Sequence, residues 1–143
     1  MSLTAEDKAL VKTIWGKLNG KADAIGAEAL ERMLIVYPTT KAYFAHWPDI
    51  SPGSESVRSH GKTIMAAVAD AVGKIDNLVD GLSDLSELHA TKLRIDPSNF
   101  EILSLSLVMS LAREFQSDFT PEVHTAMSKF FEAVSTALTD KYK

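Results

Sequence analysis

The chain contains no cysteine, no long apolar run and no excess of positive charge. Without cysteine it can form neither a disulfide framework nor a thiolate-ligated metal site. No segment approaches the roughly 18 consecutive apolar residues that a membrane-spanning helix needs, and the opening "MSLTAEDKAL" has neither the basic nor the apolar region of a signal peptide. The net charge of −4 provides no basic stripe for phosphates, which argues against a nucleic-acid-binding protein. These absences predict a soluble intracellular protein.

The sequence also lacks any sustained alternation of apolar and polar residues, so no sheet is predicted. Apolar residues instead recur at helical spacing, and 143 residues that are 45% hydrophobic can bury one sizeable core. We therefore predict an all-α fold and a single domain over residues 1–143, with seven helices, one of them very short. They are expected after the N-cap Thr4 up to a break at Asn19, over about 22–36, briefly from Pro38, over about 56–72 and 82–90, from Asp96-Pro97 to about 114, and from Thr120-Pro121 to about 140.

Two of the four histidines, His60 and His89, are candidates for a binding site when they are considered together. A single histidine on an apolar face is usually a core or boundary residue with a hydrogen-bond partner. Here two separate helices each carry one imidazole on an otherwise apolar stripe, beside Ile64, Ala67 and Val68 in one case and Leu82 and Leu85 in the other. Zinc is disfavoured because neither stripe offers a second ligand at helical spacing. An apolar slot with a histidine on each wall suits a large flat cofactor that carries its own metal.

Other motifs near these histidines are weaker. "HGKTIM" resembles the tail of a phosphate-binding loop, but Ser56 stands where that loop needs a glycine, and no strand precedes it. Ser59 beside His60, or Ser86 near His89, could be drawn as a nucleophile and its base, yet no oxyanion-forming turn accompanies either pair. The aromatic cluster before the proline-rich loop is either a small satellite core or a cofactor lid; its members are Tyr43, Phe44 and Trp47.

Six longer motifs carry a family resemblance: "GAEALERML", "YPTTKAYFAHW", "SHGKT", "LSELHATKLRIDPSNF", "FTPEVH" and "TDKYK". In this order they make the chain similar over its whole length to the vertebrate globin family, specifically the alpha-type subunits of tetrameric haemoglobin. The resemblance implies a three-over-three helical sandwich without a short helix between Trp47 and Ser56. It also implies haem b as cofactor, reversible binding of dioxygen (and of CO and NO), oxygen transport rather than enzymatic catalysis, and a place in the red-cell cytoplasm.

The resemblance assigns roles to individual residues. His89 would be the proximal ligand of the haem iron, with its other ring nitrogen hydrogen-bonded within the same helix, and His60 would be the distal residue that stabilises dioxygen. Ile64 stands where the family usually has valine, so we expect it to crowd the ligand. The remaining haem contacts would be Tyr43, Phe44, His46, Trp47, Ile64, Ala67, Val68, Leu85, Leu88, Leu93, Ile95, Asn99, Phe100, Leu103, Val134 and Leu138.

The resemblance further implies an α2β2 heterotetramer with beta-type globin chains. The tight contact within an αβ dimer would use Arg32, Phe119, Pro121 and His124, and the sliding contact between dimers would use Thr39, Tyr43, Asp96 and Asn99. The C-terminal contacts would involve Lys129, Tyr142 and Lys143. Lys143 stands where the family has arginine and Ser128 where it has the partnering aspartate, so we expect a bias toward high oxygen affinity. Two alternatives remain: an enzyme-like haem globin, and a haem-free helical interaction domain.

Overall fold

The computed structural model describes residues 2–18 and 20–142, and there it contains helices and loops but no strand. The main helices are α1 (Ala5–Gly16), α2 (Ala22–Val36), α3 (Glu55–Gly73), α4 (Leu78–Gly81), α5 (Ser83–Glu87), α6 (Ser98–Phe115) and α7 (Pro121–Leu138). A 3-10 helix, Pro38–Phe44, follows α2, and a π-helical turn, Leu88–Leu93, continues α5. Short 3-10 turns, Gln116–Asp118 and Asp140–Tyr142, follow α6 and α7.

Local chemistry sets several of these boundaries. The Thr4 hydroxyl accepts from the Asp7 backbone N–H and the Asp7 carboxylate accepts from the Thr4 N–H, both at 3.0 Å, which makes a capping box for α1. Thr120 caps α7 ahead of Pro121, whose missing N–H costs nothing in a first helical turn. Pro38 likewise opens the short 3-10 helix that the sequence predicts.

The sequence predicts one helix over residues 82–90, but the structure has several shorter elements there. Residues 78–93 form three consecutive pieces, α4, α5 and the π-helical turn, and Arg94 ends them in the left-handed region with φ 51°. Sequence reasoning took "GKIDNLVDG", residues 73–81, as an interruption, since its glycines, Asp and Asn form helices poorly. Leu78 and Leu82 are nevertheless buried on the side that packs against α7, and this burial outweighs the weak local preference.

The helices pack as the predicted three-over-three sandwich. The α1, α3 and α5 helices lie over α2, α6 and α7, and the most extensive contact between two helices is that of α2 with α3. Gly26 and Gly61 face each other there, and a Cβ on either would collide with the backbone of the opposite helix. No helix in residues 2–18 and 20–142 is long and apolar enough to cross a membrane.

Candidate functional site

Two adjoining cavities, of about 260 and 300 Å³, lie between the two layers of the sandwich. Both are bordered by His60 from α3 and His89 from the π-helical turn, and by the side chains of Phe44, Leu93 and Phe100. Their walls are made almost entirely of apolar side chains, and the described lining includes no Lys, Arg, Asp or Glu. The two histidines of the sequence-based hypothesis therefore face the same apolar space.

His89 is held in a defined orientation by its own helix. Its Nδ1 lies 2.8 Å from the Leu85 carbonyl oxygen, which can only accept, so Nδ1 carries the proton. Nε2 then keeps its lone pair, the form in which imidazole binds a metal. The Phe100 ring packs edge-on against the imidazole with 5.3 Å between centroids. The hydrogen bond expected within the same helix is present. It leaves the lone pair of Nε2 available to bind a metal.

His60 occupies the opposite wall in an aromatic setting. Its ring centroid lies 5.5 Å from that of Phe44 and 5.2 Å from that of Trp47, both edge-on. Burial, and to a smaller extent the electrostatic interaction with the nearby His89 ring, lowers the pKa of His60 below its ordinary value of 6.5. His60 is therefore neutral at neutral pH, with one ring nitrogen able to donate a hydrogen bond and the other able to accept one.

The structure brings the whole predicted haem-contact set to the walls of these two cavities. Every residue from Tyr43 to Leu138 in that set borders one cavity or both. Sequence reasoning missed further lining residues. Ala71, Leu82 and Leu107 already lay on the apolar stripes, so helical spacing could have found them. The others reach the site only through tertiary packing; they are Leu30, Met33, Thr40, Thr63, Ser104, Phe131 and Ser135.

The aromatic cluster before the loop combines the two alternatives that its sequence left open. Phe44 and Trp47 pack on each other with 4.4 Å between ring centroids, as in a small satellite core, and they also border the cavity. The Tyr43 hydroxyl contacts the segment that follows the His89 turn. It accepts hydrogen bonds from the Asn99 side-chain amide at 3.0 Å and from the Asp96 backbone N–H at 3.1 Å. This cluster lies at the rim of the site.

Several of the residues predicted to contact a partner chain have hydrogen-bond or ion-pair partners within this chain, as Tyr43 and Asn99 do. Arg32 pairs with Glu28, whose carboxylate also lies 3.4 Å from Arg113. The Lys129 ammonium lies 3.1 Å from the Asp7 carboxylate, and the two side chains keep only 19% and 11% of their exposure. The Tyr142 hydroxyl donates to the Ile95 carbonyl oxygen at 2.7 Å. Lys143 lies outside the described residues.

The remaining predicted contact residues lie at the surface. Pro121 and His124 are exposed on the first turns of α7, and the Phe119 ring lies 5.4 Å from that of His124. Thr39 and Asp96 are exposed, while Asn99 is half-buried beside Tyr43. The structure thus places one group at the start of α7 and another around the end of the His89 turn.

Large apolar side chains are exposed on α2 and α6. Ile35 and Val36 are 63% and 57% exposed, and Leu105 and Met109 are 51% and 54% exposed. Leu105 and Met109 also border an 820 Å³ groove between α6 and α7, together with His124 and Ser128. Exposed apolar residues concentrated in this way mark an interaction surface.

Comparison with known proteins gives a consistent result. A model of the globin family, described as "Globin", matches residues 27–138. The "Hemoglobin cathodic subunit alpha" of Conger conger is 67% identical over 143 residues, and the alignment spans 100% of both chains. The "Hemoglobin subunit alpha" proteins of Danio rerio and Salmo salar are 60% and 59% identical, again over 100% of both chains.

Proposed function

Because the chain belongs to the globin family, among the alpha subunits of fish-type haemoglobins, we propose that His60 and His89 form the two sides of its haem site. Haem in this family supplies an iron that binds dioxygen reversibly, and the function of the subunit is oxygen transport, without a catalytic step of its own. The observation that carries the residue assignment is the pair of imidazoles on opposite walls of one apolar cavity.

The residues fit the group. The His89 turn presents an unprotonated Nε2 to the cavity, because the Leu85 carbonyl holds the proton on Nδ1. Neutral imidazole is a good iron donor, and a hydrogen bond on the far nitrogen increases its basicity. In the described residues no three His, Asp or Glu side chains lie close enough together to hold a metal ion by themselves. His89 would hold the iron of a haem group through its Nε2.

His60 would bind the ligand rather than the iron. Its lowered pKa keeps the ring neutral, and a neutral ring can turn one N–H toward dioxygen. A hydrogen bond in an apolar, water-poor space is stronger than the same bond in water. This donor would therefore favour a ligand that takes on partial negative charge at ferrous iron, such as dioxygen, over carbon monoxide.

The apolar wall would keep water away from the cofactor. Val68, Phe100 and Leu138 are 8–9% exposed and border the cavity between the layers. Excluding water slows oxidation of ferrous iron, because charge separation is costly in a medium of low dielectric constant. Tyr43, His46 and Trp47 stand at the open rim, where the acidic edge of the porphyrin would meet solvent.

A visible absorption spectrum of the reduced, haem-loaded chain, with and without carbon monoxide, tests this assignment. We expect a five-coordinate ferrous spectrum that shifts when the gas is added. A low-spin, six-coordinate spectrum before any gas is added would mean that His60 also binds the iron, and the assignment of His60 as the ligand's partner would then be wrong.

As an alpha subunit, the chain assembles with beta subunits into a tetramer in the red cell. We propose that the exposed apolar residues of α2 and α6, with Arg32, Phe119, Pro121 and His124, form the tight αβ contact, and that Thr39, Tyr43, Asp96 and Asn99 form the contact between dimers. Met109→Glu should stop assembly with beta chains in sedimentation velocity, because it buries a charge, whereas Asp23→Asn on the surface of α2 should not. Normal tetramers of Met109→Glu would contradict the first assignment.

A further inference from the structure

The wall of the inner cavity carries two hydroxyl groups at a place where α6 and α7 pack together. Ser104 of α6 and Ser135 of α7 border the 260 Å³ cavity, among side chains that are otherwise mostly apolar. The same two serines, with the buried Phe131, also border the 820 Å³ groove on the surface between α6 and α7. The inner cavity and the outer groove therefore share these three side chains as a common wall.

The hydrogen bond between the two serines is long and has a defined direction. The Ser104 hydroxyl donates to the Phe100 carbonyl oxygen at 2.7 Å, so its single proton is already used. In the 3.3 Å contact between the two hydroxyl oxygens, Ser135 is therefore the donor and Ser104 the acceptor. Such bonds are ordinarily about 2.7–2.8 Å long, so this one is weak and is readily exchanged for bonds to water.

A water molecule between the two serines would find the partners that it needs. It would accept from the Ser135 hydroxyl and donate to the Ser104 oxygen, and a buried water typically has about two to four partners. The neighbouring side chains of α7 on this wall, Val134 and Leu138, offer none. Water that crossed the apolar part of the wall would give up its hydrogen bonds, so the hydroxyl pair is the favoured place to cross.

The outer side of the serine pair is polar. Glu101 lies one helical turn before Ser104, and Glu132 and Thr139 lie one turn before and one turn after Ser135. All three border the groove, and both glutamates are exposed. Water is therefore available at the outer side of the pair.

The inner side of the pair lies next to the wall that carries His89. Phe100, whose carbonyl accepts from Ser104, packs its ring edge-on against the His89 imidazole with 5.3 Å between centroids. Water that passes the serines therefore enters the cavity near this imidazole.

We propose that Ser104 and Ser135 form a water passage from the groove to the His89 side of the haem cavity. The proposal rests on the assignment of His89 as the iron ligand. Each crossing exchanges the bond between the two hydroxyls for bonds to water, and no covalent bond changes. The serine pair is thus an exception in a wall that otherwise keeps water from the cofactor, and the rate of water entry depends on its hydroxyl groups.

Exchange of the His89 Nδ1 proton with solvent measures this entry. The Leu85 carbonyl holds that proton inside the fold, so it exchanges when water reaches it. In the deoxygenated ferrous, haem-loaded chain, the paramagnetic iron shifts the proton's NMR resonance away from the others. Its exchange rate is then measured by saturation transfer from water.

Ser135→Thr and Ser135→Val are the matched variants. Threonine and valine have nearly the same shape, and only threonine keeps a hydroxyl, so the bulk of the added carbon cancels in the comparison. The control is Thr125→Val, the same chemical change on an exposed part of α7. The Thr125 hydroxyl donates to the Pro121 carbonyl in its own turn, and Thr125 borders neither the cavity nor the groove.

We expect Ser135→Val to exchange the His89 proton about three- to tenfold more slowly than Ser135→Thr, because entering water loses a hydrogen-bond partner. Thr125→Val should match the unmodified chain. Equal rates in the two Ser135 variants would overturn the proposal. Equally slow rates would mean that space alone limits entry, and equally fast rates that water enters elsewhere. If the unmodified chain shows no shifted Nδ1 resonance, the assignment of His89 as iron ligand fails instead.

Discussion

The two sides of this molecule are packed in opposite ways. Between α1, α6 and α7 the interior is filled by the chain itself, and Val11, Leu111 and Phe130 are 0% exposed. Between His60 and His89 the helices enclose open space, and the large side chains of Leu88 and Leu93 remain 38% and 50% exposed. Protein interiors normally reach crystal-like density, so an apolar space bordered by half-exposed leucines indicates that a group from outside the chain completes this part of the core.

The backbone differs between the two sides as well. The α7 helix runs through 18 residues and is capped by Thr120, whereas residues 78–94 pass through two short helices, a π-helical turn and a left-handed residue. π-Helical turns interrupt regular hydrogen bonding and occur frequently at functional sites. The filled side therefore has the regular structure that stabilises the fold, and the cavity side has the irregular structure that presents His89.

His89→Ala should have the largest effect on this contrast. Removing the imidazole whose Nδ1 proton is fixed by the Leu85 carbonyl should abolish the five-coordinate ferrous spectrum, and added imidazole should restore part of it. The matched control is His124→Ala, since His124 is exposed and lies away from both cavities. An unchanged spectrum in His89→Ala would exclude this residue as the axial ligand.

Removing haem should have the next largest effect, and only on one side. A ligand bound to the folded state alone stabilises it by roughly 4 kcal/mol at a thousandfold excess over the dissociation constant. The free energy of unfolding of the chain should therefore fall by at least this much when haem is removed. We expect hydrogen exchange to accelerate over residues 78–97 and much less within α7. Uniform acceleration along the whole chain would contradict the division into two sides.

A pair of truncations tests the same contrast in the haem-free chain. Phe130→Ala should lower the free energy of unfolding by about 3–5 kcal/mol, because it opens a cavity in filled core. Leu93→Ala should cost only about 0.5 kcal/mol, since half of this side chain is already exposed. Urea denaturation of both variants, repeated with haem bound, should show the cost of Leu93→Ala increase and that of Phe130→Ala stay nearly constant.

Asp7 gives a pH-dependent test on the filled side. The hydrogen bond from the Thr4 N–H, followed by the bond from Lys129, lowers the pKa of the Asp7 carboxyl below its ordinary value of 3.8. Its stabilising contribution is therefore complete above that ordinary value and is lost as the pH falls through the lower folded-state pKa. Asp7→Asn should have a lower free energy of unfolding than the unmodified chain at neutral pH. Urea titrations at decreasing pH should show this difference become smaller and disappear in acid. A difference that stays constant with pH would refute this, and Lys129→Gln separates the ion pair from the cap.

Ile64→Val should have the smallest effect. Ile64 lies one helical turn after His60 on the cavity wall, and valine removes one methylene from the space where the ligand enters. We expect faster association of carbon monoxide in flash photolysis, by less than about fourfold, because one methylene corresponds to about 0.8 kcal/mol. Equal association rates would mean that this methylene does not crowd the ligand.

Much of this architecture could be predicted from the sequence. The cap at Thr4, the prolines at 38 and 121, and the apolar stripes of α3 and α6 are local signals, and the structure confirms the helices they predict. Helical spacing also places Ile64, Ala67 and Val68 on the same face as His60, whereas the full set of haem contacts was implied by the family resemblance. Caps, prolines and helical spacing act between residues that are close in the chain, so the helices they specify can be predicted from the sequence.

Other features were decided only when the helices packed. The turn at Leu78 forms against local preference because α7 offers a surface that buries its leucine. Met33 reaches the cavity from α2 and Thr40 from the 3-10 helix Pro38–Phe44, and neither element carries a histidine. Ser86 finds its partners more than fifty residues away at Leu138 and Lys141. Burial and hydrogen bonding between distant segments depend on where the whole chain brings them, and no local pattern around Ser86 specifies the carbonyl it will meet.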